Sequence, residues 1–320
     1  MTWKRFGLGR AGGWLLVGGV VAGLAWFMGV EGLSKIPRAP RKLWLIMAGR
    51  DSRCGVLRSV VDQSFSYFRL TVRRPRVVTI GRDGSLILTN TSLGRFWMPA
   101  SDTPAATICQ ELAEEEYGLY GKGEWGVQPG DVVLDCGAHI GTFTRAALAR
   151  GARQVVAIEP LPIAQECLRR NLSAEMAAGR VVLCPKGVWD RESTLELKLE
   201  RGNTGASSVV LDRGGGSAVT VPLTTIDKLV RDLRLERVDF IKMDIEGAEV
   251  PALIGARETL RRFRPRLAIA VYHREGDLVG VQQAVLEAAQ GWAVRGSMCL
   301  ENYDRIRPQV LLFRPDGSAR

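Results

Sequence analysis

The chain has 320 residues, of which 46% are hydrophobic and 24% charged. That composition excludes a disordered protein and leaves room for one large or two small domains. The formal charge of +10 is confined to one end: residues 1–76 hold 14 Lys/Arg against 3 Asp/Glu, and residues 77–320 hold 30 against 31. A main body with no basic surplus argues against a nucleic-acid substrate, because a phosphate backbone calls for Lys and Arg on the domain that grips it.

Residues 1–10 read as a short tail. Residues 11–30, AGGWLLVGGVVAGLAWFMGV, are 20 uncharged residues, enough to cross a hydrocarbon core. Trp14 and Trp26 lie near the two ends, where interfacial anchors sit. The competing reading is a cleaved signal peptide with Gly23-Leu24-Ala25 as its site, but the apolar run continues through Trp26, Phe27 and Met28. Gly19 and Gly23 are spaced to let two such helices pack, which leaves the oligomeric state open. Lys4, Arg5 and Arg10 precede the span, whereas Lys35, Arg38, Arg41, Lys42 and Arg50 follow it. The excess on the C-terminal side places the rest of the chain in the cytoplasm.

Residues 31–105 read as a basic juxtamembrane linker and a small α+β pre-domain. EGLSKIPRAPRK is the linker, and positions 43–70 carry apolar residues at helical spacing. Arg76 to Thr89 reads as two strands joined at Gly81–Gly84. The basic residues here suit anionic lipid headgroups.

Residues 106–315 form the main domain, with a tail at 316–320. A helix over 106–120 leads into strand 131–135, a helix from 141, strand 154–158 and a helix from 162 that stops near Gly179. Strand 180–184 and a hairpin-like excursion through LELKL and AVTVPL follow. Thr225 is placed to cap the next helix. Strand 238–243, helix 249–262, strand 266–272, helix 278–290 and a last pair near 291–296 and 308–314 complete the order. Alternating β and α units imply an α/β fold, a mostly parallel sheet with helices on both faces.

The six cysteines (Cys54, Cys109, Cys136, Cys167, Cys184, Cys299) include no C-x-x-C pair. Neither a zinc site nor a disulfide framework is expected, and a reducing compartment follows. With His139 and His273 as its only histidines, the chain offers no histidine-rich metal centre, and no metal is expected.

The densest signal is VVLDCGAHIGTFT, Val132 to Thr144, followed by AIEP, Ala157 to Pro160. It reads as a buried strand, a turn bracketed by Gly137 and Gly141, a helix start, and a second strand ending on Glu159. A carboxylate at that strand end can accept two hydrogen bonds from a ribose diol. A nicotinamide dinucleotide needs Gly-x-Gly-x-x-Gly against its pyrophosphate. Here the first glycine of that pattern is Asp135, which repels a diphosphate and suits the ammonium of S-adenosylmethionine. A second strand, VDFIKM, ends in a polar cluster holding Asp244 and Glu246 near the crevice. Glu249 reads as an acid in the first turn of the following helix.

LDCGAHIGTFT, AIEP, CPKGVWD, the Asn203–Val209 stretch NTGASSV and IKMDIEGAE occur in the order seen in FkbM-type S-adenosylmethionine-dependent methyltransferases, which the chain resembles over roughly residues 107 to 314. The resemblance implies a class I methyltransferase, Rossmann-like fold with an antiparallel last strand. It also implies O-methylation of a hydroxyl on a sugar, polyketide or related metabolite. His139 departs from it, since such proteins commonly carry asparagine there. The resemblance places Asp190 in a loop near the adenine, which spacing alone does not.

The expected cofactor site is therefore Asp135, Gly137, His139, Gly141, Glu159 and Asp190. Asp244, Glu246 and His273 are the candidate bases for methyl transfer, His273 reading equally as a solvated strand-end residue. Asn203, Ser207 and Ser208 are placed to meet a polar acceptor or to lie in a solvent loop. The anchor points to a lipid-linked or glycolipid acceptor. Two alternatives stay open: a dehydrogenase on a similar sheet, and a non-catalytic anchored module.

Overall fold

The structure, a computed structural model, describes residues 45, 50–55, 58–59, 61–62, 76–104, 107–200, 202–208, 218–303 and 305–316. The expected tail 1–10, the membrane span 11–30, the linker 31–42, most of 43–70, Val209 and the residues after 316 lie outside the described residues. Among the described residues no helix is long and apolar enough to cross a membrane.

The pre-domain is a three-stranded meander of β1 (Val78–Asp83), β2 (Leu86–Thr91) and β3 (Gly94–Pro99). The turn expected at Gly81–Gly84 is tighter: Gly81 stays in β1 beside a bulge, and the chain reverses at Gly84-Ser85 with Gly84 at φ 56°. The meander buries Leu86, Phe96 and Met98 against Ile108 and Leu112 of α1 (Ile108–Tyr117). Gly118 stops that helix in the left-handed conformation.

The main sheet joins seven strands: β4 (Val132–Cys136), β5 (Gln154–Ile158), β6 (Val181–Cys184), β10 (Phe240–Met243), β11 (Arg266–Ala270), β12 (Trp292–Asn302) and β13 (Arg305–Pro315). Their order is β12-β13-β11-β10-β4-β5-β6. Strands β11, β10, β4, β5 and β6 pair in parallel; β13 runs antiparallel to β11 and to β12. Alternate residues serve opposite faces. Leu134, Val156, Ile241 and Leu267 share a core with α5 (Ile226–Asp232), α6 (Glu249–Ile254), α7 (Arg257–Phe263) and α8 (Asp277–Ala288). Val133, Val155, Phe240 and Ala268 pack with Phe143 of α2 (Thr142–Ala149) and Leu168 of α3 (Pro162–Asn171), which the short α4 (Ser173–Ala177) follows. Helices on both faces account for strands apolar on both sides. A small second sheet, order β7-β9-β8, joins β7 (Gly187–Val188), β8 (Ser193–Lys198) and β9 (Ala218–Thr224).

From β4 the chain builds outward through β5 and β6, then returns to place β10 on the other side of β4. The tips of β4 and β10 therefore flank a topological switch point, where a crevice opens. Thr225 caps α5 as expected, its hydroxyl accepting from Lys228 N at 3.0 Å. The single helix expected over 249–262 is two, broken at Gly255, where a Cβ would lie 2.1 Å from the Trp189 carbonyl oxygen. The last hairpin is longer than expected, because β12 and β13 stay paired almost to their turn.

The cysteine expectation needs correcting. Cys54 and Cys299 are joined in a disulfide, 245 positions apart. Residues 50 and 51 lie along β13 at Ile306, which brings Cys54 over β12. No local spacing could register such a pairing. The other four cysteines are buried and take no part in a disulfide.

Candidate active site

The turn after β4 carries the sharpest backbone demands. Gly137 has φ 80°, and a Cβ there would lie 2.0 Å from the Asp244 carbonyl oxygen. Only glycine lets β4 and β10 end so close together. His139 also takes a positive φ, 47°, and its N–H donates to Glu159 Oε2 at 2.8 Å. Leu161 N donates to Glu159 Oε1, again at 2.8 Å. Glu159 is thereby fixed at the tip of β5. Burial raises its pKa, with the neighbouring His139 and these N–H groups opposing the shift.

Two adjoining hollows fill the crevice. The first, about 630 Å³, has Gly137, Glu159 and Ser207 on its polar side and Leu161, Val188 and Leu223 among its apolar walls. The second, about 660 Å³, is bounded by Glu111 and Glu114 of α1, Tyr120, Asn203, Lys242 and Tyr272. His139, Asp244 and Glu246 border both.

Asp135 lies elsewhere, which corrects the expectation that it meets a ligand's ammonium. It is fully buried, accepts from Thr144 Oγ1 at 2.6 Å, and has Oδ1 3.3 Å from Lys242 Nζ. Asp135 and Lys242 are register partners on neighbouring strands. Strand alternation turns both onto the face under α2 instead of out of the strand tip. Burial works against the Lys242 charge, but Asp135 and Asp244 outweigh it and raise its pKa. Its ammonium donates to the Gly137 carbonyl at 2.6 Å, so the pair braces the glycine turn from below.

Three further expectations change. Gly141 borders neither hollow; a Cβ there would lie 2.8 Å from Leu168 and 2.9 Å from Leu172, so it lets α2 and α3 pack closely. Asp190 borders neither hollow and pairs with Arg191 at 3.3 Å, while Val188, two residues earlier, forms part of the wall. Ser208 is buried and donates to the Glu246 carbonyl at 2.6 Å, holding the loop after β10. That loop places Glu246 at φ 55°.

Asp244 sits where the hollows meet. Tyr120 donates to its Oδ2 at 2.5 Å, and the Tyr272 hydroxyl lies 3.3 Å from both oxygens. Burial alone would raise its pKa; His273, Lys242 and the Tyr120 hydroxyl hold it well below the usual carboxylate range. His273 lies beneath, its ring 1% exposed. Its Nδ1 is 2.9 Å from Glu249 Oε1, and its Nε2 is 3.2 Å from Asp244 Oδ1 and 3.4 Å from Glu246 Oε2. Burial disfavours its charge, but Glu249, Asp244 and Glu246 together raise its pKa well above the ordinary value. His273 borders neither hollow; it packs beneath Asp244 with both ring nitrogens facing carboxylates.

The sequence reading missed Glu111, Glu114, Tyr120, Tyr272 and the part played by Glu249. Glu111 accepts from Thr142 Oγ1 at 2.5 Å and lies 2.8 Å from His139 Nδ1. Burial lowers the His139 pKa, but Glu111, Glu159 and Asp102 more than offset it. The signal available for α1 was its acids: Glu111 and Glu114 stand one turn apart beside the apolar face of Ile108 and Leu112.

A seven-stranded sheet of this order, with a glycine turn after β4 and an acid on the tip of the neighbouring β5, defines a class I methyltransferase-type fold. Residues 135–303 match the family described as Methyltransferase FkbM domain, more than half of the chain, and the protein belongs to that family of methyltransferases. Methyltransferase sdnD of Sordaria araneosa is 28% identical over an alignment covering 39% of this chain and 60% of that protein. AMB antimetabolite synthetase AmbE of Pseudomonas aeruginosa is 28% identical, covering 62% of this chain and 11% of that protein. The chain thus matches less than two thirds of the length of either relative. Among solved structures, the methyltransferase FkbM from Methylobacillus flagellatus KT aligns with a TM-score of 0.46 and 20% identity, covering 88% of this chain and 60% of that one.

Proposed function

We propose that the protein is a membrane-anchored, S-adenosylmethionine-dependent O-methyltransferase acting on a hydroxyl of a sugar, glycolipid or related small metabolite. The observation that carries this reading is Glu159, a carboxylate fixed at a strand tip beside the glycine turn and facing an apolar hollow. Each oxygen accepts one N–H and keeps a lone pair for a ribose hydroxyl. Leu161, Val188 and Leu223 offer apolar walls to the adenine.

S-adenosylmethionine, when bound, supplies a methyl group on a positively charged sulfonium. The protein's share is orientation, worth up to about 7–11 kcal/mol when reacting atoms are held in line. Asp244 and Glu246, at the junction of the hollows, are placed to accept a hydrogen bond from the acceptor hydroxyl and orient it, and Glu246 to receive its proton. Tyr120 and Tyr272 hold the Asp244 carboxylate in one orientation. Asn203 and Ser207 border the acceptor and nucleoside sides respectively.

Family membership sets aside the dehydrogenase reading; turnover separates an enzyme from a non-catalytic module. The test is incubation of membranes containing the protein with radiolabelled S-adenosylmethionine, followed by identification of the labelled product. Label in a hydroxyl-derived methyl ether that disappears in Asp244→Ala supports the reading; no labelled product, or label in an amine, rejects O-methylation.

The uncharged stretch 11–30 and the basic residues after it support an anchor with the catalytic domain on the cytoplasmic side, where S-adenosylmethionine is made. The Cys54–Cys299 bond pulls the other way, since disulfides are rare in reducing compartments. Protease digestion of sealed vesicles of known orientation decides the side.

A further inference from the structure

We propose that His273, Asp244 and Glu246 form a binding site for one divalent metal ion, with Glu249 orienting the histidine. His273 Nε2 is buried without a hydrogen-bond partner and faces two carboxylate oxygens, Asp244 Oδ1 at 3.2 Å and Glu246 Oε2 at 3.4 Å. Ligand atoms bonded at about 2.1 Å to a shared ion lie about 3.0–3.4 Å apart in octahedral or tetrahedral geometry. The two separations from Nε2 fall in that range.

The opposite side of the ring has the arrangement that metal-bound histidines use. Glu249 is fully buried, and its Oε1 lies 2.9 Å from His273 Nδ1. A carboxylate there keeps the proton on Nδ1 and turns the Nε2 lone pair outward. Asp244, Glu249 and His273 each offer a ligand atom within 4.8 Å of the other two; Glu246 lies outside that group and approaches through its 3.4 Å separation from Nε2.

Charge gives the same answer. Three carboxylates surround one imidazole, and Lys242, whose charge also acts on Asp244, is paired with Asp135 at 3.3 Å. A proton on Nε2 balances part of this charge; a dication in its place balances more and releases that proton. Two carboxylates and one imidazole suit manganese or zinc more than calcium, which takes oxygen ligands alone. Asp244 and Glu246 also border both hollows, so the ion would sit within reach of an acceptor oxygen. Only this last role rests on the methyl-transfer reading; the binding itself does not.

The experiment titrates the full chain, stripped with EDTA, with Mn²⁺ and follows the free ion by electron paramagnetic resonance. The same preparations are titrated with S-adenosylhomocysteine by calorimetry. One Mn²⁺ per chain is expected, displaced by Zn²⁺, with affinity falling at least tenfold in both Glu246→Gln and His273→Gln. Glu246 keeps 13% of its side chain exposed against 1% for His273, so its variant keeps the test valid if His273→Gln fails to fold. The proposal is overturned if folded wild-type protein binds neither Mn²⁺ nor Zn²⁺ saturably, or if binding is indifferent to Glu246→Gln. Loss of S-adenosylhomocysteine binding alone, with the ion still bound, would count against the cofactor reading and leave the metal site standing.

Discussion

The His139 N–H donates to Glu159 Oε2 across 2.8 Å, tying the glycine turn after β4 to the tip of β5. The acid that faces the hollow lined by Leu161, Val188 and Leu223 is thus held by the turn that frames it. Glu159→Ala removes the ribose acceptor and leaves the His139 and Leu161 N–H groups unpaired. A hydrogen bond to a charged group is worth about 1.5–3 kcal/mol, so S-adenosylhomocysteine should bind roughly tenfold to a hundredfold more weakly. Calorimetry checks this; an unchanged Kd rejects the ribose role.

Gly137→Ala should destabilise the protein by about 2 kcal/mol or more, because the new Cβ meets the Asp244 carbonyl and φ is 80°. The same displacement moves Asp244 out of reach of Tyr120, so nucleoside binding should fall with the melting temperature. Thermal melts with and without S-adenosylhomocysteine measure both. A variant that melts and binds like wild type contradicts the close approach of β4 and β10.

Glu114 sets a pH dependence. Burial, followed by the nearby Asp244 charge, raises its carboxyl from 4.5 to about 8. The folded state therefore holds this proton more tightly than the unfolded chain. The associated stability is fully present below about pH 4.5 and is lost as pH rises towards about 8. Glu114→Gln cannot ionise, so its melting temperature should fall less than that of wild type between pH 5 and 8. Parallel slopes for the two proteins would remove Glu114 from the account.

The Cys54–Cys299 bond closes a span of 245 positions. Cys54→Ser should lower stability by about 2–4 kcal/mol, and reductant should do the same to wild type. Denaturant titration reads the loss. Non-reducing peptide mapping should recover Cys54 and Cys299 in one fragment; separate fragments from oxidised protein would show that the bond does not form.

Much of the frame was legible along the chain. QVVAI ends on Glu159 and FIKM leads into Asp244, because an apolar run of strand length followed by a polar break marks a strand tip. The Thr225 cap and the glycine turn were equally local, each being a matter of a few adjacent dihedrals. Asp135 departs from expectation for a related reason: the run VVLDC marks a buried strand, but not which face its fourth residue takes.

Neighbouring residues thus settled where the strands, turns and helix starts fall, since periodicity and backbone sterics act over a few positions. Packing settled the rest. Lys242 found Asp135 through the register of β10 on β4, Tyr120 reached Asp244 across 124 positions, and Glu249 closed on His273 when α6 docked beside β11. Charge states and contacts of that kind depend on which side chains are buried together, and burial is a property of the assembled sheet and helices rather than of any stretch of chain.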